Sequence, residues 1–427
     1  MSALPLNPAL FHLDKDHLWV MHCSEGPVPR AGMRVARAFM QKELRPWEVR
    51  WEEDFQGIPA ALRAEAAALL GGRPEDISLS PTTSSALVTV AQGFPWEPGD
   101  EVLAPLGEFP SNAWPWLALR SRGVRFREVP LWEGHRAGVE AWASEPPRAE
   151  SDPETRLIEA IGPRTRILAL SWVRFQDGLK LDLQRLGVAC KDRGVHLVVD
   201  GIQAAGTVPA NLEGLSAFAT GGHKGLLSPQ GMGFLWTDEH FRQSLSPSGT
   251  WLSVEDATDF SRPSTDFDRA WLADGRALEP GGPNLLQAST LLESLRLING
   301  ARVPAIAAHV ALLQARLLDA LDDTGWRSDV ERLRLLLQGG RLGSILALHH
   351  SGKGPEVLDR LLKAGYRQGV FASVREGYLR VAFHGYHTEA DGDRVAAWLR
   401  GSTAIVDDPW SRSDRARHDH TGILQSH

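Results

Sequence analysis

Hydrophobic and polar positions follow each other along this chain in two kinds of block. Short runs are apolar throughout, as in "TRILALSWV" and "VHLVVDGIQAAG"; between them lie amphipathic stretches such as "DLQRLGVACKDRG". An apolar run of strand length predicts a strand covered on both faces, and the amphipathic spacing predicts a helix with one buried side. Further strands are expected in "PEDISLSPTTSSALVTVAQGF", "GDEVLAPLGEFPSN" and "GVRFREVPL", and short ones in "AFATGGHKG" and "GMGFLW". Helices are expected from Ala60 onward, after the "SPTT" turn, and after the proline- and acid-rich loop that leads into "ETRLIEAI". Strands alternating with helices argue for an α/β fold built on a mostly parallel sheet.

After "EPGGPNLLQAST" the texture changes to two long helical patterns, then strands at "GGRLGSILALHH" and "GYLRVAFHG", then a closing helix at "EADGDRVAAWLRG". The expected organisation is a large domain over 21–285 and a smaller α/β domain over 286–402. Residues 1–20 form a segment packing on the smaller one, and the polar, aperiodic stretch 403–427 a mobile tail. No internal repeat is visible.

With 427 residues, two domains are the natural expectation. A net charge of −7 and the absence of a dense basic run give no reason to expect nucleic acid. The two cysteines, Cys23 and Cys190, exclude a disulfide framework and a multi-cysteine zinc site, and suit a reducing cytoplasm. No secretion signal and no apolar run long enough to span a bilayer are read, so no membrane and no metal enter the expectation. The 15 tryptophans, many beside prolines or charges, suggest pocket or interface walls.

Three local features carry chemistry. Asp200 ends the apolar run "VVDGIQ", where parallel strands present ligands, although an aspartate there can equally cap the next turn. Lys224 sits in "ATGGHKGLLSPQGMGFLW" among glycines and apolar residues, with no carboxylate near it in sequence. It can snorkel to water, or stay partly desolvated so that its amine becomes nucleophilic toward a carbonyl. The hydroxyl turn Thr82–Thr83–Ser84 precedes an apolar helix, which makes either an ordinary cap or a phosphate seat. Together they describe one ligand: an aldehyde for Lys224, a basic ring nitrogen for Asp200 and a phosphate for the hydroxyl turn. That ligand is pyridoxal 5'-phosphate, whose protonated ring is an electron sink for a carbanion.

The stretch "VVDGIQAAG…ATGGHKGLLSPQGMGFLW" resembles the D-x-x-Q, G-x-K and G-x-G-x-L pattern of class V aminotransferases. These belong to the fold-type I pyridoxal-phosphate enzymes, with cysteine desulfurases, kynureninase and isopenicillin N epimerase-like proteins among them. The resemblance runs from about residue 17 to about residue 400 and implies a seven-stranded, mostly parallel sheet and a homodimer with sites at the subunit boundary. Carried over by position, Lys224 forms the imine with the cofactor and shuttles the Cα proton, and Asp200 pairs with the ring nitrogen. Gln203 reaches the ring hydroxyl, while Thr82, Thr83, Ser84 and His223 serve the phosphate. Phe109 stacks on the ring and Asn112 faces its polar edge. Arg380, in "YLRVAFHGYHT", clamps the substrate carboxylate. Arg174 and Phe175 are placed at a second ring-contacting strand end. His22 and His387 are expected at substrate, and Glu25, Trp114 and His384 are further pocket candidates. Two departures bear on the phosphate: Gly221 stands where a hydroxyl is usual, for which Thr220 is a candidate substitute, and Gly282 offers only its backbone N–H.

The segment "YRQGVFASVREG" before Arg380 has no cysteine, so a persulfide-forming desulfurase is not expected. Cys190 falls on an apolar helix face and Cys23 on a segment that enters the site in relatives. Transamination of an amino acid is the first expectation; β-lyase chemistry at C–S or C–C comes second, then epimerisation or cyclisation. A non-catalytic scaffold has no need of Lys224, Asp200, Gln203 and Arg380 together.

Overall fold

The computed structural model describes residues 4–349 and 355–402; the expected tail, 403–427, lies outside the described residues. The apolar runs form one seven-stranded sheet. Its strands are β1 (Ile77–Ser80), β2 (Glu101–Pro105), β3 (Arg125–Val129), β4 (Thr165–Ser171), β5 (His196–Asp200), β6 (Ala217–Gly221) and β7 (Gly233–Thr237). The order is β1-β7-β6-β5-β4-β2-β3. Neighbours from β3 through β6 pair in parallel, and β7 runs antiparallel to both β1 and β6.

The all-apolar strands are explained by what covers them. Along β4 and β5, Leu168, Leu170, Leu197 and Val199 join one core cluster, while Ile167, Ala169 and Val198 join another on the opposite face. Successive side chains of a strand point to opposite faces, so a sheet buried on both sides needs apolar residues at every position. Helix α1 (Thr83–Gly93) starts where Thr82 accepts the Ser85 N–H at 3.0 Å. Helix α2 (Leu183–Asp192) starts where Asp182 accepts the Arg185 N–H at 3.0 Å. Both are side-chain caps on otherwise unsatisfied first-turn donors.

A second, three-stranded antiparallel sheet contains β8 (Ile345–His349), β9 (Ser373–Arg375) and β10 (Tyr378–Ala382), in the order β9-β10-β8. It accompanies helices α3 (Leu285–Ala301), α4 (Val303–Ala320) and α5 (Glu389–Gly401). By length and composition α4 is apolar enough to cross a membrane, with mean hydropathy 1.3, where the sequence reading found no such run. Here its Ile306, Val310, Leu313 and Leu317 share a buried core with Val395 and Leu399 of α5. The helices Arg30–Glu43, Arg327–Gln338 and Pro355–Arg367 were not anticipated. None of the first two has a side-chain cap to mark its start.

The early chain ties the two sheets together. Leu18–Trp19 pairs in parallel with Val370–Phe371, Met21 bridges Ala382, and the Gly26 N–H then donates to the His223 carbonyl at 2.7 Å.

The end of β5 is tightly packed. A Cβ on Gly201, the residue after Asp200, would lie 1.9 Å from the Phe218 ring. Gly201→Ala is therefore expected to cost about 1–3 kcal/mol by overpacking, read as a lowered urea midpoint. Adding Phe218→Leu should recover part of that loss, and an unchanged midpoint in the single variant would contradict the packing.

Candidate active site

Asp200 is 2% exposed. Its Oδ1 accepts the Ile202 N–H at 3.0 Å, and its Oδ2 is buried with no hydrogen-bond partner. Burial, with the Glu108 charge adding to it, pushes its carboxyl up to about 7. Glu108 was not singled out by the sequence. It accepts the Ser171 N–H at 2.9 Å, the Ser171 hydroxyl at 2.5 Å and Asn112 Nδ2–H at 3.2 Å, which aims it beside Asp200.

Lys224 lies in the loop between β6 and β7 and is 8% exposed. No salt bridge within 4.0 Å reaches its amine among the described residues. Burial lowers its pKa to about 8, against the opposing charge of Asp200. Its Nζ lies 5.4 Å from the centroid of the Phe109 ring, and Phe109 meets Phe175 edge-on at 5.1 Å. Half-buried Phe109 is thus positioned to form one wall of the site.

Arg380 is 2% exposed. Its Nε and Nη2 donate to Ser373 Oγ at 3.1 and 2.9 Å, and its Nη1 donates to the Phe175 carbonyl at 2.6 Å. The β9–β10 register sets this, because Ser373 pairs directly with Arg380. Nη1 and Nη2 each keep one further N–H, the number of donors that a carboxylate fork needs. Burial lowers the pKa of this arginine.

The hydroxyl turn is split in its use. Thr82 is taken up as the cap of α1, and the Ser84 hydroxyl donates to Ser111 at 2.7 Å. Thr83 Oγ1 is buried without a partner. A Cβ on Gly221 would stand 3.3 Å from Thr83 Oγ1 and 3.2 Å from His223 Nδ1, so these two atoms flank the space that Gly221 leaves. Burial, helped by the Lys224 charge, lowers His223 to about 4 and keeps its ring neutral. Thr220 does not face this space with a free hydroxyl: its Oγ1 donates to the Gly221 carbonyl at 3.1 Å. Gly282 lies exposed beside Phe55.

Other expected contacts are engaged elsewhere. Asn112 gives Nδ2 to Glu108 and accepts the Trp116 indole N–H at 3.1 Å, so it orients Glu108. Gln203 Nε2 donates to the Cys23 carbonyl at 3.0 Å. Arg174 is bound to Asp177 at 2.9 Å, to the Leu106 carbonyl and to His135, away from any substrate fork. His22 joins the Ala382 carbonyl and Ser344 Oγ, both at 3.1 Å. His387 accepts the His384 N–H and donates to the Trp19 carbonyl. Glu25 meets Gln230 at the rim, and Trp114 is 68% exposed. Cys23 Sγ sits 3.9 Å from Ser373 Oγ. Cys190 is core, its thiol pushed up to about 12 by burial. The pairings of Gln203 with Cys23, of Arg174 with His135 and of His22 with Ser344 span long stretches of chain and leave no local sequence signal.

Pyridoxal phosphate fits what is left unpaired. Its ring nitrogen suits the orphaned Asp200 Oδ2, its aldehyde the isolated amine of Lys224, and its phosphate the first turn of α1 with Thr83 Oγ1.

The family model described as Aminotransferase class-V matches residues 50–395. The chain is 32% identical over 200 residues to a probable cysteine desulfurase of Methanothermobacter thermautotrophicus, a match spanning 45% of this chain and 46% of that protein. It is 28% identical to an isopenicillin N epimerase of Amycolatopsis lactamdurans, over 92% of this chain and 96% of that one. Among solved structures it superposes with TM-score 0.77 and 17% identity on C-DES carrying glycine covalently linked to its PLP cofactor, covering 94% of this chain and 99% of that chain. With relatives named cysteine desulfurase in the set, the comparisons do not support the expectation that this chain stands apart from that group.

The raised carboxyl of Asp200 has a consequence for the cofactor-free protein. Its stability contribution is fully present below the ordinary value of 3.8 and is lost as pH rises through about 7, because the folded state holds the proton more tightly than the unfolded one. Between those limits the wild-type urea midpoint should fall relative to that of Asp200→Asn. A wild-type midpoint that rises relative to the variant would contradict the assignment.

Proposed function

The chain belongs to the class V aminotransferase family, and from that premise we propose that it is a pyridoxal-phosphate enzyme that moves the Cα proton of an α-amino acid, with transamination as its reaction. The observation that carries the reading is the set of three buried ionisable groups, Lys224, Asp200 and Arg380, none paired in a salt bridge among the described residues. Unpaired buried charge is expensive, so the arrangement fits a site whose counter-charges arrive with its ligands.

Bound at Lys224, the cofactor supplies the electron sink that makes a Cα proton removable. Asp200 would hold the proton of the ring nitrogen, whose positive charge would offset the burial and the Glu108 charge that raise its carboxyl. Arg380 grips the substrate carboxylate with its free fork, which fixes the direction of the Cα–H bond. Lys224 Nζ, freed when the substrate amine replaces it on the cofactor, would take the proton and return it, its lowered pKa favouring the neutral amine. Thr83, the first-turn N–H groups and neutral His223 receive the phosphate. Phe109 walls the site and keeps water off.

A second reading, β-elimination from a sulfur-bearing amino acid, is favoured by the relatives named cysteine desulfurase. A persulfide route has less support: the segment before Arg380 lacks a cysteine, and Cys23 is 1% exposed. We also propose a homodimer. Trp51, Phe55, Phe260 and Trp251 form a continuous aromatic surface beside Gly282, with Phe260 66% and Trp251 53% exposed. Covering it with a second copy would remove apolar area from water. Sedimentation should give a dimer, and a monomer at micromolar concentration would count against it.

Purified protein is expected to show the visible absorption of a lysine-bound cofactor, lost in Lys224→Ala. Arg380→Lys should raise KM for the amino acid about tenfold or more, since a point charge cannot replace the fork. A panel of amino acids, each supplied with an α-keto acid as amino acceptor and scored for the substrate's own keto acid, pyruvate, ammonia, sulfide and inverted enantiomer, separates the readings. Keto acid without ammonia or sulfide supports transamination. Sulfide or ammonia release replaces it with elimination, and a protein that takes up no cofactor overturns both.

A further inference from the structure

The loop of Lys224 is held at three carbonyls by donors from outside it. The His223 carbonyl accepts the Gly26 N–H at 2.7 Å, the Gly225 carbonyl accepts His384 Nε2–H at 2.9 Å, and the Leu227 carbonyl accepts the Ser294 hydroxyl at 2.9 Å. The loop needs such support. Leu227 adopts φ +56°, a left-handed conformation unfavourable for a residue with a Cβ. Gly225, directly after the lysine, has the widest backbone freedom of any residue, and a Cβ there would lie 2.3 Å from the Ala205 carbonyl oxygen. Nothing intrinsic to Gly225 fixes the chain just beyond Lys224: the Lys224 carbonyl accepts the Leu227 N–H at 3.0 Å within the loop, and the next carbonyl, that of Gly225, is held from outside by His384.

His384 is built for that single task. It is 0% exposed. The Gly385 N–H donates to its Nδ1 at 2.8 Å, which places the ring proton on Nε2, facing Gly225. Its own N–H donates to His387 Nδ1 at 2.8 Å, and His387 Nε2–H then donates to the Trp19 carbonyl at 2.9 Å. The His22 ring meets it edge-on at 5.1 Å. The ring therefore has one orientation and one tautomer, set by the end of β10 and by the early chain.

We propose that His384 is a positioning residue that aims the Lys224 amine, acting through the Gly225 carbonyl. This rests on the reading of Lys224 as the cofactor-bonding residue. A misdirected amine would leave the cofactor's seat intact but slow its covalent capture, since small errors of alignment are costly to bond formation.

The test uses apoprotein and two probes. Pyridoxine 5'-phosphate, which has no aldehyde, reports the seat alone; pyridoxal 5'-phosphate, trapped with borohydride and located by peptide mass, reports the rate of bonding at Lys224. In His384→Leu the affinity for pyridoxine 5'-phosphate should stay within about twofold of wild type, while capture at Lys224 slows about ten- to a hundredfold. His384→Gln, whose side chain keeps an N–H at a similar reach, should restore most of the rate. Unchanged capture in His384→Leu overturns the inference, and so does a loss of capture matched by an equal loss of pyridoxine 5'-phosphate affinity and of melting temperature, with no rescue by Gln. If wild-type protein bonds no cofactor at Lys224, the cofactor reading itself falls and this inference falls with it.

Discussion

Burying a charge without its counter-charge is the constraint on which this structure turns. Lys224, Asp200 and Arg380 are all within a tenth of full burial, and among the described residues none forms a salt bridge with another. In an ordinary core these groups would be paired, neutralised or replaced by apolar residues. Here the responses are graded. Asp200 and Lys224 shift their pKa values toward neutrality, to about 7 and about 8. Arg380 cannot neutralise, so Ser373 Oγ and the Phe175 carbonyl solvate it while its outer fork is left unengaged. Each group is stabilised just enough to remain in place without being satisfied.

The fold makes that possible by drawing the three groups from different places. Asp200 comes from the end of a parallel strand, Lys224 from the loop that follows the next one, and Arg380 from an antiparallel strand of the second sheet. No two share an element, so no local hydrogen-bonding pattern can collapse one onto another. The β9–β10 hairpin contributes through its register. Its two-residue turn, Glu376–Gly377, has φ of +47° and +86°, the signs that a twisted tight hairpin requires. That turn fixes Ser373 opposite Arg380 and so decides which side of the guanidinium is solvated by protein.

What was legible in the sequence follows from which interactions are local. Strand and helix identity showed in the apolar periodicity, because two-sided burial of β4 and β5 demands apolar residues at every position. The isolation of Lys224 showed because its sequence neighbours are glycines and apolar residues, although the groups that bear on its amine, Phe109, Asp200 and Arg380, come from elsewhere in the chain. The engagement of Arg174 by His135, of His22 by Ser344 and of Gln203 by Cys23 did not show, since each pair is far apart in sequence. Glu108 was hidden for a different reason: a single carboxylate beside a proline-containing loop has no pattern, and its importance lies in pointing at Asp200.

The glycine at 221 illustrates how a departure from a family pattern can be coherent within one chain. A side chain there would approach Thr83 Oγ1, His223 Nδ1 and Ile202 at 3.2–3.3 Å, closer than ordinary contact. With no side chain, Thr83 Oγ1 is left unpartnered, and the hydroxyl of Thr220 is turned away to the Gly221 carbonyl. Under the proposed role, Thr83 Oγ1 would serve the phosphate in place of a hydroxyl at residue 221. The site would then exchange a donor on β6 for a donor already fixed on α1, whose first-turn N–H groups and partial positive charge favour the same anion. The number of hydroxyls in a motif is therefore a poor guide to anion binding here; the position of the one left without a partner is the better one.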